Sequence, residues 1–313
     1  MLTGVLTGCG SRNYRMPYSH HYPVSSYRML NGTDQDVLAI PFAQDFCVAE
    51  GDIVEGTEVD ESLSGAAALF CSDTRKTIYA RNIYEQLHPA SLTKVMTALV
   101  AMKYGSMDMM LTASANVKNL EAGALTCGLA EGDQMTLAQA LHILLVQSAN
   151  DVAVMIAEGV GGSVENFSTL MNTEAKALGA TNSHFVNPHG LTADNHYVTV
   201  YDMYLIFDAA LDYSLFSEII HMPSYNTIYR DKAGKEKTLS VKSTNLYLHG
   251  EQNAPEAITI IGGKTGTTKA AGNCLILLSK DTAGKSYISV VLRAEGREML
   301  YTAMTDLLDE IQN

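Results

Sequence analysis

The decapeptide HPASLTKVMT, residues 88–97, places Ser91 and Lys94 three positions apart at the start of an apolar, helix-spaced run. On a helix those two side chains share a face, one turn apart. Ser91 is the only serine in the 313-residue chain with a lysine at i+3. A hydroxyl is a weak nucleophile until a base takes its proton, and a lysine amine can do that when it is neutral part of the time. Burial and a nearby cation both push a lysine toward its neutral form. Two further motifs extend the pattern. QSANDVA carries Ser148 and Asn150 between two strongly apolar stretches, and Lys264-Thr265-Gly266 stands at the end of a predicted strand. A second S-A-N, Ser114-Ala115-Asn116, lies in a mixed stretch without the helix-loop-helix setting and is set aside. Each motif alone is weak. In this order, on these elements, the three together point to serine-based nucleophilic catalysis.

The elements that must position these residues follow from periodicity and turn signals. AAALF (66–70) and KTIYA (76–80) flank the turn-like CSDTR and predict a β-hairpin. Pro89 suits the start of the Ser91 helix, where a fixed φ helps and a missing N–H costs nothing. Val95, Leu99 and Met102 then recur at helical spacing. Four more helices are predicted over 136–147, 151–160, 163–179 and 199–211, the last with Thr199 and Asp202 spaced as a capping box. Strands follow at 258–266, 272–280 and 286–294, and an amphipathic helix at 297–312. Short connections make consecutive strands antiparallel. The fold class expected is α+β: an antiparallel sheet of about five strands, flanked by terminal helices, with an all-helical lobe (about 95–215) inserted between strands. The catalytic domain is placed at 62–313.

Composition narrows the function. With 47% hydrophobic and 18% charged residues, the chain can bury a substantial core. A formal net charge of −13 and the lack of a basic run argue against a nucleic-acid partner. No stretch of 18 apolar residues suggests a transmembrane helix. The five cysteines (9, 47, 71, 127 and 274) form no C-x-x-C pair. Cys71 and Cys274 sit in apolar runs and read as buried free thiols, with a Cys47–Cys71 disulfide as the alternative. His88, His184 and His189 read as loop and packing residues, and His20-His21 as solvated. No H-E-x-x-H or comparable spacing calls for a metal, and no cofactor is expected.

The N-terminal region reads differently. Leu6-Thr7-Gly8-Cys9 resembles the lipobox of bacterial lipoproteins, in which the cysteine is lipidated. Residues 1–9 are accordingly taken as the remnant of a lipoprotein signal whose start lies further upstream. Residues 10–61 are read as a tether, although 36–48 is apolar enough to pack on something. A flexible chain of about 50 residues spans roughly 40 Å.

PASLTKVMTALVA, SANDVAVMIAE, MNTEAKALGATNSHFVNPHGL and GGKTGTTKAAGNCLILL resemble the serine-type D-alanyl-D-alanine carboxypeptidases, the low-molecular-mass penicillin-binding proteins, over residues 62–313. S-x-x-K, S-x-N and K-T-G are shared by penicillin-binding proteins and class A β-lactamases. The resemblance implies a β-lactamase/DD-peptidase-like fold. It implies removal of the terminal D-alanine from peptidoglycan stem pentapeptides through a Ser91 acyl-enzyme. Stem peptides and lipid-linked precursors would be the partners and β-lactams the inhibitors. Lys264 would be the second cation near Lys94 and would attract the substrate carboxylate, with Thr265, Gly266 and Thr267 lining the substrate strand. Ser148 would relay a proton between Lys94 and the leaving amine. Asn150 would bind the substrate amide and hold Lys94. The backbone amides of Ser91 and Thr267 would form the oxyanion hole.

Two features depart from the family pattern. Ala149 stands where many carboxypeptidases have glycine, a small change. Members often add a β-rich domain and a C-terminal amphipathic anchor, whereas this sequence ends after the 297–312 helix, whose acidic face suits packing on the sheet rather than on lipid. The expected anchor is then a lipid on Cys9, which places the domain outside the cytoplasm at the cell membrane. A class A β-lactamase would need a glutamate in the region 181–195, which has none. An endopeptidase on the same scaffold is not separated by motifs. A non-catalytic wall-binding lipoprotein would be expected to lack Ser91, Lys94 or Lys264.

Overall fold

The computed structural model describes residues 46–312. The first hairpin forms as predicted. β1 (Ala66–Cys71) is small and apolar along its length and fully buried, and β2 (Lys76–Arg81) returns antiparallel beside it. The chain then leaves this sheet. α1 (Thr93–Tyr104) is buried without a break from Thr93 to Met102, so it is the central helix of the lobe rather than a surface one. β3 (Met110–Thr112) and β4 (Gln134–Thr136) lead into α2 (Leu137–Val146), α3 (Asn150–Gly161), α4 (Val164–Ala177), α5 (Val200–Leu211) and α6 (Ser214–Ile220). A second hairpin follows, β5 (Ser224–Arg230) and β6 (Glu236–Lys242). β7 (Thr259–Thr268), β8 (Gly272–Lys280) and β9 (Ser286–Ala294) return to the first sheet, and α7 (Arg297–Asp309) closes the domain.

The main sheet has five strands in the order β2-β1-β9-β8-β7, all antiparallel. Its side chains alternate between two cores, as strand geometry requires. Phe70, Ile276, Ile288 and Val290 belong to the core shared with the lobe, and Phe70 stacks on Tyr204 of α5 at 4.2 Å. Leu69, Leu275, Leu277 and Val291 point the other way, into a core with Leu300, Met304, Leu307 and Leu308 of α7. α7 therefore packs on the sheet, with Met299 alone of its predicted apolar set strongly exposed.

Three expectations are corrected. The lobe is not all-helical: it carries a four-stranded sheet, β3-β4-β5-β6. β3 and β4 have three residues each, too few for a pattern, and β5 buries only Thr227 and Tyr229 while Ile228 faces solvent. Among the described residues one terminal helix, α7, flanks the main sheet; the preceding segment offers a strand-like cover instead. Ile53 and Ala80 exchange backbone hydrogen bonds at 2.7 and 3.0 Å along the outer edge of β2. The last part of the expected tether is thus packed, because Cys47 and Ala49 are buried and a covered edge strand leaves fewer backbone groups unpaired. Third, Thr199 caps α5 by accepting the Asp202 N–H, but the Asp202 carboxylate turns away to Asn182 N and Ser183 Oγ. Cys47, Cys71, Cys127 and Cys274 are free thiols, with Cys47 Sγ donating to the Cys71 carbonyl. Cys9 and residues 1–45 lie outside the described residues.

Candidate active site

Ser91 lies in the 3-10 turn Ala90–Leu92 that leads directly into α1. Lys94 sits in the first turn of that helix, wholly buried. Its Nζ donates to Ser91 Oγ at 2.9 Å, Asn150 Oδ1 at 2.7 Å and the His189 carbonyl at 2.7 Å. Three acceptors match the three N–H donors of an ammonium. No carboxylate hydrogen-bonds to it among the described residues. Burial, reinforced by Lys264, holds its pKa well below the usual lysine value, with Asp151 opposing. A base beside the nucleophile that loses its proton easily is what activation of Ser91 requires.

α3 supplies the second group. Asn150 opens the helix and donates its N–H to the Leu125 carbonyl at 2.8 Å. The next residue, Asp151, is buried and accepts the N–H groups of Cys127, Gly128 and Leu129 at 3.1, 2.9 and 3.0 Å. The loop before α2 is thereby tied to the helix that carries Asn150. Ser148, just ahead, has φ +69°, a left-handed conformation uncommon for serine. Its Oγ accepts from Lys264 Nζ at 2.9 Å, so in this structure its bonded lysine is Lys264 rather than Lys94.

β7 supplies the third wall. Lys264 is buried, donates also to the Thr265 carbonyl at 2.8 Å, and burial draws its pKa down to about 7. Gly266 lies flush against the serine turn: a Cβ there would sit 2.9 Å from Ser91 N and 3.0 Å from the Pro89 carbonyl. Only glycine lets the strand come this close. Ser91, Ser148, Asn150, Thr265, Gly266 and Thr267 all line one cleft of about 500 Å³.

Sequence reasoning missed several residues here. The His189 carbonyl is a ligand of Lys94, presented by a loop in which Asn187 Oδ1 accepts the His189 and Gly190 N–H groups. The ring itself is half-buried, and desolvation draws its pKa down to about 3. Thr244 bonds to the Thr265 hydroxyl and lines the cleft beside Lys269, Arg297 and Tyr301. A backbone acceptor leaves no mark in a sequence. Arg297 stands at the head of α7, where it reads as an ordinary surface charge. Among the described residues the one acid in the lining is Glu121, which is exposed. Among the described residues no group of three or more His, Cys, Asp and Glu could hold a metal.

A family model described as D-alanyl-D-alanine carboxypeptidase matches residues 53–296. The chain belongs to that family. It is 32% identical over 247 residues to D-alanyl-D-alanine carboxypeptidase DacF of Bacillus subtilis, covering 78% of this chain and 61% of that protein. It is 30% identical over 248 residues to a D-alanyl-D-alanine endopeptidase of Pseudomonas aeruginosa, covering 79% of this chain and 75% of that one. The crystal structure of the Streptomyces K15 DD-transpeptidase superposes with a TM-score of 0.73 at 25% identity, over 79% of this chain and 96% of the other. The fold is therefore that of the DD-peptidases. The chain spans about three fifths of the length of the carboxypeptidase relative. In this chain β7, the Ser91 turn and the head of α3 form three walls of the cleft.

Proposed function

We propose that the protein is a serine-type D-alanyl-D-alanine carboxypeptidase acting on peptidoglycan stem peptides. The observation that carries this reading is the buried Lys94 amine held on Ser91 Oγ. Neutral Lys94 accepts the Ser91 proton as Oγ attacks the carbonyl carbon of the penultimate D-alanine. The oxyanion is met by the N–H groups of Ser91 and Thr267. Collapse breaks the peptide bond, and terminal D-alanine leaves with a proton passed through Ser148. The hydrogen bond from Lys264 to Ser148 supports a shuttle that runs through Lys264 as well as Lys94. Water then cleaves the Ser91 ester. A β-lactam carbonyl fits the same attack, and its ester persists because the ring-opened amine stays attached to the acyl group and in the cleft, where the departed D-alanine would have made room for water.

The substrate carboxylate is assigned to the β7 wall: the Lys264 charge from beneath and the Thr265 and Thr267 side, with Lys269 and Arg297 in the cleft lining. Lipid-linked precursors carry the same peptide terminus. Anchoring by a lipid on Cys9 rests on the lipobox-like LTGC. The Pseudomonas relative favours one second reading, cleavage of cross-links between stem peptides. The experiment is incubation with a fluorescent penicillin, a D-Ala-D-Ala pentapeptide and a cross-linked muropeptide dimer. Label on Ser91 that is lost in Ser91→Ala, with release of free D-alanine, is the expected result. Label retained in Ser91→Ala overturns the mechanism, and dimer cleavage without D-alanine release selects the endopeptidase.

A further inference from the structure

The residue before the nucleophile is held in an unusual way. Ala90 has φ +46°, a left-handed conformation that residues with a Cβ rarely adopt. Its carbonyl accepts the Thr93 hydroxyl at 2.9 Å, and the Thr93 N–H as well. The same Thr93 Oγ1 lies 2.9 Å from His196 Nε2. Because the hydroxyl proton is spent on Ala90, His196 Nε2 must be the donor of this pair. Its other nitrogen, Nδ1, accepts the Val186 N–H at 3.2 Å, which requires the same tautomer. The ring is buried, stands edge-on to Phe185 at 5.6 Å, and burial lowers its pKa to about 3, so it stays neutral. The backbone at His196 is pinned in turn by His88 Nδ1 on its carbonyl at 2.9 Å. Gly190 packs against the same pair, so close that a Cβ would lie 1.8 Å from the Ala90 oxygen and 2.7 Å from Thr93 Oγ1.

This grip matters because Ala90 C=O and Ser91 N–H belong to one peptide unit. The unit is planar and trans, so the carbonyl and the N–H point in opposite directions. Drawing the oxygen toward Thr93 turns the N–H away from Thr93, on the side where Ser91 N meets β7 at Gly266. We propose that Thr93 and His196 are positioning residues for the oxyanion donor: they hold the Ala90 carbonyl, and so aim the Ser91 N–H into the cleft. This role rests on the Ser91 mechanism above. It assigns a chain of three hydrogen bonds, from the Val186 N–H to the Ala90 oxygen, to the transition state rather than to substrate binding.

The test separates the acylation rate constant from the non-covalent dissociation constant, using a fluorescent penicillin in rapid-mixing experiments on the full chain. Thr93→Val should lower the acylation constant about 10–100-fold, with the dissociation constant changed less than about threefold, since one oxyanion donor is worth about 10²–10³. Thr93→Ser, which keeps the hydroxyl, should recover acylation to within about threefold of the parent. A peptide boronic acid, whose tetrahedral oxygen occupies the hole, should lose affinity for Thr93→Val in parallel. If Thr93→Val does not fold, His196→Asn decides, with a loss of about tenfold in acylation expected. Parent-like acylation in the variant that folds, or a loss that falls equally on binding, or one that Thr93→Ser does not restore, overturns the positioning role alone. A parent protein that does not label at Ser91 overturns the mechanism beneath it.

Discussion

Two buried lysines stand behind the cleft, each hydrogen-bonded to residues that line it. On the lobe wall, Lys94 is held by three oxygens and sits within ten consecutive buried residues of α1. On the sheet wall, Lys264 has two partners, one of them Ser148, and the strand runs on into exposed Thr267 and Lys269. Burial lowers the pKa of both. Lys94 is fully satisfied inside the protein, so nothing is left for it to do except exchange a proton with Ser91. Lys264 has two partners for the three donors of an ammonium, and on the mechanism proposed the remaining donor meets the substrate carboxylate. On the mechanism proposed, one residue type serves as base on one wall and as electrostatic anchor on the other, and the difference lies in the acceptors each wall supplies.

The largest effect should come from removing the base. Lys94→Met should lower acylation by a fluorescent penicillin about 10³-fold or more, the scale of a positioned general base. Parent-like acylation would mean that another group deprotonates Ser91 and that the contrast between the walls is false. Next is the anchor. Lys264→Gln should cost ~2–4 kcal/mol of transition-state stabilisation, about 10²–10³-fold in rate, on peptides ending in a free carboxylate. Amidated peptides should lose much less. A carboxylate beside Lys264 favours its charged form, so binding takes up a proton. KM for acid-ended peptides should then rise above about pH 7, the value to which burial brings Lys264, while KM for amidated ones stays flat. Equal losses and parallel pH curves would remove the anchor role.

The seam between the walls is tested by Gly266→Ala. The new Cβ would stand 2.9 Å from Ser91 N, so the strand or the serine turn must move by a few tenths of an ångström. Acylation should fall about 10–100-fold, because small misplacements of reacting groups are costly. The melting temperature should change little. Parent-like acylation would show that the register of β7 against Ser91 is loose.

The two walls were unequally legible in the sequence. α1, α3 and β7–β9 stand out because their apolar runs are long, and the three motifs lie on them or at their ends. Lys94, Ser148, Asn150 and Lys264 are grouped in the sequence by the motif set of the resembling family, which also supplies their expected order around the substrate. The β5–β6 hairpin does not stand out, since one face is exposed and the other is only partly buried, and Thr244 just after it is missed with it. The His189 carbonyl was invisible for another reason: any residue offers a carbonyl, and only Asn187 and the tight turn at Gly190 aim this one. Ser148 pairs with Lys264 rather than Lys94 and has a φ of +69°, and a left-handed serine of that kind has no sequence signature.

The smallest effect is the most direct measure of what the walls cost the fold. An unfolded lysine keeps its proton to about pH 10.4, whereas Lys264 in the fold gives it up near 7. Between those values the unfolded chain binds more protons than the native one, so stability must rise with pH across that window. Below it both states are protonated, and the native state carries the full penalty of a buried charge. Lys264→Met removes the titrating group and keeps most of the volume. Its stability at pH 7 should equal or exceed that of the parent by ~1–2 kcal/mol, and the advantage should shrink as pH rises to 9. Lys94→Met should behave the same way, with a larger gain, because Lys94 is lowered by the neighbouring cation as well as by burial. Denaturant melts of the three proteins at pH 7, 8 and 9 give the comparison. If the parent and both variants change in parallel with pH, neither lysine is held near neutrality by its wall, and the division into base and anchor would need a different cause.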